Sequence, residues 1–250
     1  MKQTRLIMGM PITVEIVDST AIEKSIEKAF SYFQYIDDTF STYKPESEIS
    51  AINRGALKEN EYSDDMKTIF ALAEETKIST NGYFDIRTQD GSYDPSGIVK
   101  GWAIHNVGKL LKDEGYENFY VDAGGDIESH GKNSKGGDWS VGIQNPFNKK
   151  EIIKIIYPRG KGVATSGTYI RGDHIHNPKE NNTPITEIVS LTVIGPNVYE
   201  ADRFATGAFA MGKEGVKFIE QLDGFEAYMI NKEGIATMTS GFEFYTKPHA

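Results

Sequence analysis

Several predicted strands follow one another in this chain without a helix between them. Apolar and β-branched residues indicate these strands at 118–122, 126–130, 139–144 and 151–157. Alternating strand–helix units are typical of parallel doubly wound sheets, whereas runs of adjacent strands are typical of α+β folds. Helical segments lie on both sides of this run. The sequence therefore predicts an α+β fold and not a doubly wound parallel sheet.

Helical segments are marked by apolar residues at helical spacing and by residues that begin or end a helix. The first three helices are predicted to have Ser19, Ser47 and Ser63 as their N-caps. The third is predicted to end at Asn81-Gly82 in a left-handed turn. Further helices are predicted at 98–114, 198–212 and 216–222, a strand at 188–195, and a hairpin at 225–230 and 235–244.

Length and composition limit the class of protein. A chain of 250 residues buries a sizeable core without cross-links, and we expect one domain over residues 1–250. The absence of cysteine from the sequence excludes disulfide scaffolds, cysteine-ligated metals and thiol nucleophiles. Lys and Arg number 27 against 36 Asp and Glu, a net charge of −9, so we expect no nucleic-acid partner.

The sequence contains no segment typical of a membrane anchor. No run approaches the roughly 20 apolar residues of a membrane span. The first eleven residues contain no apolar stretch of signal-peptide length. The sequence as given therefore predicts a cytoplasmic protein, although a chain trimmed of an export signal would look the same.

Several common catalytic motifs are absent from the sequence. It has no Gly-x-Gly-x-x-Gly after a strand and no P-loop, so Rossmann and Walker nucleotide sites are not supported. It has neither His-Glu-x-x-His nor Gly-x-Ser-x-Gly, which excludes the zinc-protease and serine-hydrolase signatures.

Four segments concentrate glycine, hydroxyl and acidic residues. Residues 41–47 are interpreted as a loop with a helix N-cap, and residues 121–126, with a double glycine, as a tight turn or a surface for a flat ligand. Residues 94–101 lead into a helix whose free amides suit a phosphate, or they hold an acidic cap and two packing glycines. Residues 164–169 end a hydroxyl-rich strand, and the following His174 is a candidate general base.

Asp202 and Thr206 lie four residues apart on a predicted helix, so their oxygens share one face. Two oxygen ligands one turn apart suit a hard cation such as Mg²⁺. Alternatively, Asp202 interacts with the helix dipole and Thr206 bonds back to a carbonyl of its own helix. The pattern alone leaves both interpretations open.

Taken in order along the chain, these segments resemble the ApbE family of Mg²⁺-dependent FAD:protein FMN transferases. Each motif is weak alone, but eight occur in the family's order over nearly the whole chain. They are Met8-Gly9, Ser41-Thr42-Tyr43, Gly82-Tyr83-Phe84-Asp85, Asp94 to Gly101, Gly124-Gly125-Asp126, Thr165-Ser166-Gly167, His174 to Pro178, and Ala201-Asp202 with Ala205-Thr206.

The resemblance implies an ApbE-like, T-fold-type core with a mostly antiparallel sheet and packed helices. It also implies a reaction in which FMN passes from FAD to a Thr or Ser hydroxyl of an acceptor protein and AMP leaves. It implies catalytic roles for His174, as base, and for Asp202. The backbone oxygen of Gly97, with Asp202 and Thr206, is expected to hold Mg²⁺. The residues expected to contact FAD are Met8, Tyr43, Tyr83, Phe84, Asp85, Asp94, Lys100 and His176.

The sequence departs from the family pattern in two places. Only eight residues separate Asp85 from Asp94, where the family usually has a much longer insertion. Asn177 stands where the family commonly has Asp, and His176 replaces a usual aliphatic residue. Two alternatives to the transferase therefore remain: an FAD pyrophosphatase that releases FMN and AMP, and a non-catalytic FAD-binding protein.

Overall fold

The computed structural model describes residues 1–168, 176–180 and 183–248. Over these residues, every pair of neighbouring strands is antiparallel. One sheet has the order β1-β2-β3-β4-β7-β10-β11-β12, and β5-β6 and β8-β9 form separate pairs. The strands are β1 Lys2–Ile7, β2 Met10–Ile16, β3 Phe119–Ala123, β4 Asp126–His130, β5 Val141–Asn145, β6 Asn148–Ile156, β7 Gly162–Gly167, β8 His176–Asn177, β9 Thr183–Pro184, β10 Ile188–Gly195, β11 Glu226–Asn231 and β12 Ala236–Met238.

The helices occupy the positions that the apolar spacing predicts, within a few residues. They are α1 Glu23–Phe40, α2 Glu48–Asn53, α3 Asp64–Ser79, α4 Ser96–Asp113, α5 Val198–Ala210 and α6 Gly215–Glu220. These helices and the antiparallel sheet confirm the α+β fold. That one domain spans the whole chain stays a prediction.

The core lies on both faces of the sheet because successive side chains of a strand point to opposite faces. In β7, for example, Ala164 packs with α5 and α6, while its neighbour Val163 packs with β5 and β6 on the other face. A third apolar cluster joins α1, α3 and α4 to β2 and β3. Both sides of the sheet are therefore covered, and α4 and α5 come together at the boundary of two clusters.

The predicted helix ends are confirmed at α2 and α3 and wrong at α1. Ser47 accepts a hydrogen bond from the amide of Ser50, and Ser63 accepts one from Met66, each at 3.1 Å. Asn81 and Gly82 have the expected positive φ after α3. Helix α1, however, has Ile22 as its N-cap residue without a side-chain bond. Ser19 lies in a separate turn, in which the Ala21 amide bonds to Asp18, so it is too far from the helix to cap it.

The predicted C-terminal strand at 235–244 is only partly right, because β12 ends at Met238. The chain then turns into a short 3₁₀ helix, Phe242–Thr246. Phe242 is fully buried, and its ring centroid lies 5.3 Å from that of Tyr228 in β11. The chain leaves the sheet after Met238, and this aromatic ring packs against the sheet from the 3₁₀ helix, a change of direction that hydrophobic periodicity does not reveal.

Within the described residues, no helix is both long and apolar enough to cross a membrane.

Two contacts fix the start of α5 against the sheet. The buried carboxylate of Glu128 in β4 accepts a hydrogen bond from the amide of Val198 at 2.8 Å. Gly162 in β7 lies so close that a Cβ added there would overlap the backbone of Asn197 and Val198. The first turn of α5 is therefore held directly by two strands.

We predict that Gly162→Ala lowers the free energy of unfolding by about 1–3 kcal/mol, because a methyl group there must displace backbone atoms. Gly137→Ala is the matched control, since its added Cβ meets only the Asn133 amide group at 3.6 Å. Urea unfolding of both variants and of the wild type measures the effect. Equal destabilisation by the two substitutions would contradict the close contact.

Candidate functional site

A cavity of about 860 Å³ lies where strand ends and turns meet the first turn of α4 and the middle of α5. Its walls come from segments far apart in sequence. The contributing residues are Gly9 to Pro11, Tyr83 to Gln89, Asp94, Ser96, Gly97, Lys100, Gly124, Gln144, Lys149, Thr165 to Gly167, His176, Pro178, Asp202 and Thr206. Ligand sites are typically concave and of this size.

Most of the site residues predicted from the sequence line this cavity. They are Tyr83, Phe84, Asp85, Asp94, Gly97, Lys100, His176, Asp202 and Thr206. Met8 and Tyr43 are not among the lining residues. Met8 has φ 55° in the turn before β2 and packs against the core, whereas Tyr43 is 95% exposed. His174 lies outside the described residues.

Asp202 lies in the second turn of α5 and therefore does not cap it. The cap is Asn197, whose side chain accepts a hydrogen bond from the Glu200 amide at 2.9 Å. The hydroxyl of Thr206 donates to the carbonyl of Gly97 in α4, 3.4 Å away, so its partner belongs to another helix. The structure therefore favours neither a helix-start role for Asp202 nor back-bonding within α5 for Thr206.

Helices α4 and α5 touch through Gly101. A Cβ at this position would lie 2.6 Å from the Cβ of Asp202 and 2.9 Å from the carbonyl oxygen of Val198. The Gly101 amide donates to Oδ2 of Asp202 at 2.8 Å. The glycine thus permits a close approach of α4 and α5, in which the Thr206 hydroxyl reaches the Gly97 carbonyl and the Asp202 carboxylate reaches the Gly101 amide.

A partly buried lysine and two buried carboxylates determine the electrostatics at this end of the cavity. Lys100 Nζ lies 2.5 Å from Oδ2 of Asp126 and 3.7 Å from Oδ1 of Asp202. Burial raises the pKa of Asp202 to about 7, while the Lys100 ammonium opposes the rise and the Asp126 carboxylate adds to it. One lysine therefore faces two acids, and an additional cation beside Asp202 would stabilise its ionised form.

Asp126 is a site-associated residue that the sequence did not single out by itself. It is 1% exposed, and its Oδ1 accepts the Thr165 amide at 3.0 Å, which ties β4 to β7 beneath the cavity. The preceding Gly124 and Gly125 have positive φ and form a tight turn, which is one of the two interpretations of this run, and Gly124 also lines the cavity. The double glycine directly before Asp126 was therefore the sequence feature by which this residue could have been identified.

The donor set at this end suits a hard cation. It consists of one carboxylate, one hydroxyl and one carbonyl oxygen, and Mg²⁺ prefers oxygen ligands and commonly keeps waters or substrate phosphates. Within the ranges that the structure describes, no group of three or more His, Asp or Glu side chains could hold a metal. A site formed by Gly97, Asp202 and Thr206 would not be such a group, because Asp202 is its only acidic side chain and the other two ligands are a carbonyl and a hydroxyl.

The short segment between Asp85 and Asp94 forms an ordered turn at the edge of the cavity. The Thr88 amide bonds to the Ser92 carbonyl at 2.9 Å, and the Asp90 carboxylate accepts from the Ser92 amide at 3.0 Å. Hydrogen bonds from Thr88 and Ser92 lower the pKa of Asp90 to about 2. The turn places Arg87, a residue missed by the sequence analysis, on the cavity wall.

Comparisons of the sequence and of the structure with known proteins both find members of the same family. The model of the ApbE family matches residues 8–92 and 87–229. An FAD:protein FMN transferase of Escherichia coli K12 is 32% identical over 189 residues, covering 71% of this chain and 54% of that protein. One of Vibrio cholerae is 25% identical over 275 residues, covering 87% of this chain and 81% of that protein. The chain spans about half the length of the first of these relatives.

Solved structures show the same fold. The flavin transferase ApbE from Vibrio cholerae superposes with a TM-score of 0.86 at 23% identity, covering 98% of both chains. The ApbE protein from Thermotoga maritima superposes with a TM-score of 0.86 at 20% identity, covering 99% of both chains. Together with the match of the family model over most of the sequence, this fold shows that the chain belongs to the ApbE family.

Proposed function

We propose that this protein is an Mg²⁺-dependent transferase that moves FMN from FAD to a Thr or Ser hydroxyl of an acceptor protein. The relatives named FAD:protein FMN transferase support this activity. The observation that carries it is that Gly97, Asp202 and Thr206, on two helices in contact, all line one cavity of about 860 Å³. Phosphoryl transfer requires charge neutralisation and in-line positioning, and a cation held at such a site would supply the charge neutralisation.

In the proposed reaction, the acceptor oxygen attacks the phosphorus of the FMN half of FAD. The bond from this phosphorus to the bridging oxygen of the pyrophosphate breaks, and AMP leaves. A phosphoester between FMN and the acceptor remains. Mg²⁺ held by Gly97, Asp202 and Thr206 would supply Lewis-acid stabilisation of the charge that develops on the phosphate oxygens.

The chain's own residues have separate roles in this proposal. Asp126 and Asp202 fix the Lys100 ammonium at the cavity wall, where it adds positive charge beside the phosphates. His174 takes the proton from the acceptor hydroxyl, a role that rests on the sequence resemblance. Its neighbour His176 lines the cavity, as do Thr165 and Ser166 of β7.

Incubation of the protein with FAD, Mg²⁺ and a candidate acceptor tests the proposal. Transfer gives an acceptor that remains fluorescent after denaturation and gains the mass of FMN minus water. Free FMN and AMP without labelled acceptor would instead indicate a pyrophosphatase. Bound but unchanged FAD would indicate a non-catalytic binding protein. Intact-mass analysis of several co-expressed acceptor candidates makes the search for the partner systematic.

We predict that FAD binds and that NAD does not, because most of the residues expected to contact FAD line one cavity and the sequence has no Rossmann fingerprint. Titration followed by flavin absorbance and by calorimetry measures both ligands. A flat FAD titration in the presence of Mg²⁺ would contradict the transferase, the pyrophosphatase and the binding protein together.

A further inference from the structure

Among the described residues, the cavity wall carries one arginine and two lysines, and these side chains differ in how far their charges are already neutralised. Lys100 is held by Asp126 and Asp202. Arg87 and Lys149 also line the cavity, and both are exposed. Over the described ranges, neither of these two side chains forms a hydrogen bond or an ion pair. Two positive charges at the cavity edge are therefore available to a ligand.

Among the described residues, none of the acidic side chains that line the same cavity forms an ion pair with Arg87 or Lys149. Asp85 forms an ion pair with Lys77 at 2.7 Å. Asp94 accepts a hydrogen bond from the Ser96 amide at 3.0 Å. Uncompensated cations are notable in a chain with a net charge of −9, because acidic partners are abundant elsewhere on the molecule.

Both cations project from short, internally bonded segments. Arg87 directly precedes the turn closed by the Thr88–Ser92 bonds and forms a β-bridge with Tyr93 across it, and its own amide donates to Oδ1 of Asp85 at 2.9 Å. Lys149 lies at the start of β6, where its carbonyl accepts from the Gln144 side chain at 2.6 Å. The backbone that carries each charge is thus fixed, which lowers the entropy lost on binding.

We propose that Arg87 and Lys149 bind the phosphate groups of the dinucleotide at the exposed edge of the cavity. The inference rests on the proposed function, because FAD carries the pyrophosphate that these cations would contact. A guanidinium matches two phosphate oxygens at once, while an ammonium provides a point charge. Arg87 and Lys149 are therefore substrate-positioning residues that add to the charge provided at the buried end.

Binding of FAD, ADP and riboflavin to Arg87→Gln, Lys149→Gln and the double variant tests this assignment. ADP carries the two phosphates without flavin, and riboflavin carries flavin without phosphate. We expect affinity for FAD and ADP to fall about 3- to 10-fold for each single variant and further for the double variant. Riboflavin affinity should not change. The loss should be larger in EDTA than in Mg²⁺ and should shrink as salt rises, because salt screens exposed charges.

Two controls separate charge from structure. Arg87→Lys keeps the positive charge and should retain most of the affinity. Lys150→Gln removes the neighbouring exposed lysine, which does not line the cavity, and should bind like the wild type. Unfolding midpoints of all variants verify that the fold is intact.

Wild-type affinity for FAD and ADP in the double variant would overturn the assignment, as would an equal loss of riboflavin binding. These results leave the proposed transferase function standing, since the wild type still binds FAD. A wild type that binds no FAD would instead overturn the proposed function, and the assignment with it.

Discussion

Asp202→Asn is expected to lower FMN transfer about 100-fold at an Mg²⁺ concentration near the wild-type midpoint, and to shift that midpoint to higher metal concentration. Asparagine keeps the size of the side chain and removes the charge from the proposed metal ligands. The buried carboxylate already has a raised pKa and gains most from a cation beside it. Folding should survive, because one of the two carboxylates that face Lys100 remains. Transfer rate against Mg²⁺ concentration is the measurement.

Asp113→Asn is the matched control for this experiment. Asp113 ends α4, is exposed and does not line the cavity, so its replacement removes one negative charge without touching the site. Its activation curve should coincide with that of the wild type. If the curve of Asp202→Asn coincides with it as well, the metal has been assigned to the wrong residues.

His174→Ala is expected to lower the rate of transfer about 10²- to 10⁴-fold while FAD affinity stays nearly unchanged, because a general base contributes about that much. Single-turnover transfer and FAD titration on the same preparation separate chemistry from binding. His130→Gln is the control, since His130 in β4 is partly exposed and does not line the cavity. A parallel loss of FAD affinity in His174→Ala would assign this histidine to the flavin site or to the core.

The sequence predicted most of the secondary structure because the apolar periodicity of the buried elements is strong. Strand β10 was predicted with the same limits as observed, and α5 begins at Val198 as expected. Ser47 and Ser63 could be identified as N-caps because serine is favoured at that position. In the structure, their hydroxyls accept hydrogen bonds from amides three residues later. Apolar periodicity and helix caps depend only on residues that are close in sequence, so a single sequence is enough to predict them.

The sheet order could not be predicted in the same way. Strands β5 and β6 follow β4 in the chain, yet they leave the main sheet, so that β7 pairs with β4. Such a departure depends on tertiary packing of side chains, for example Ile143 and Ile156 against one face of the sheet. Arg87 and Lys149 were missed for a related reason, because single cations in turns have no periodic or spacing signal.

For Asp202 and Thr206, the sequence left two interpretations open, and only the positions of other elements distinguish them. The cap of α5 is Asn197, and the hydroxyl of Thr206 meets Gly97 of another helix. Both facts depend on the packing of α4 against α5 and on the start of α5. The spacing of Asp202 and Thr206 therefore predicted that they share one face of the helix, whereas their contacts with α4 could be identified only from the tertiary structure.

The backbone contact at Gly101 also bears on the kinetics of ion uptake. Oxygens from α4 and α5 are brought together by the packing of two long helices, and no loop has to close to gather them. Their arrangement is preorganised when the chain folds, so little reorganisation free energy remains for binding. For Mg²⁺ bound there as proposed, the slow step would be the loss of its own hydration shell, since this ion dehydrates reluctantly. The association rate should consequently depend more on how fast the ion loses water than on conformational motions of the protein.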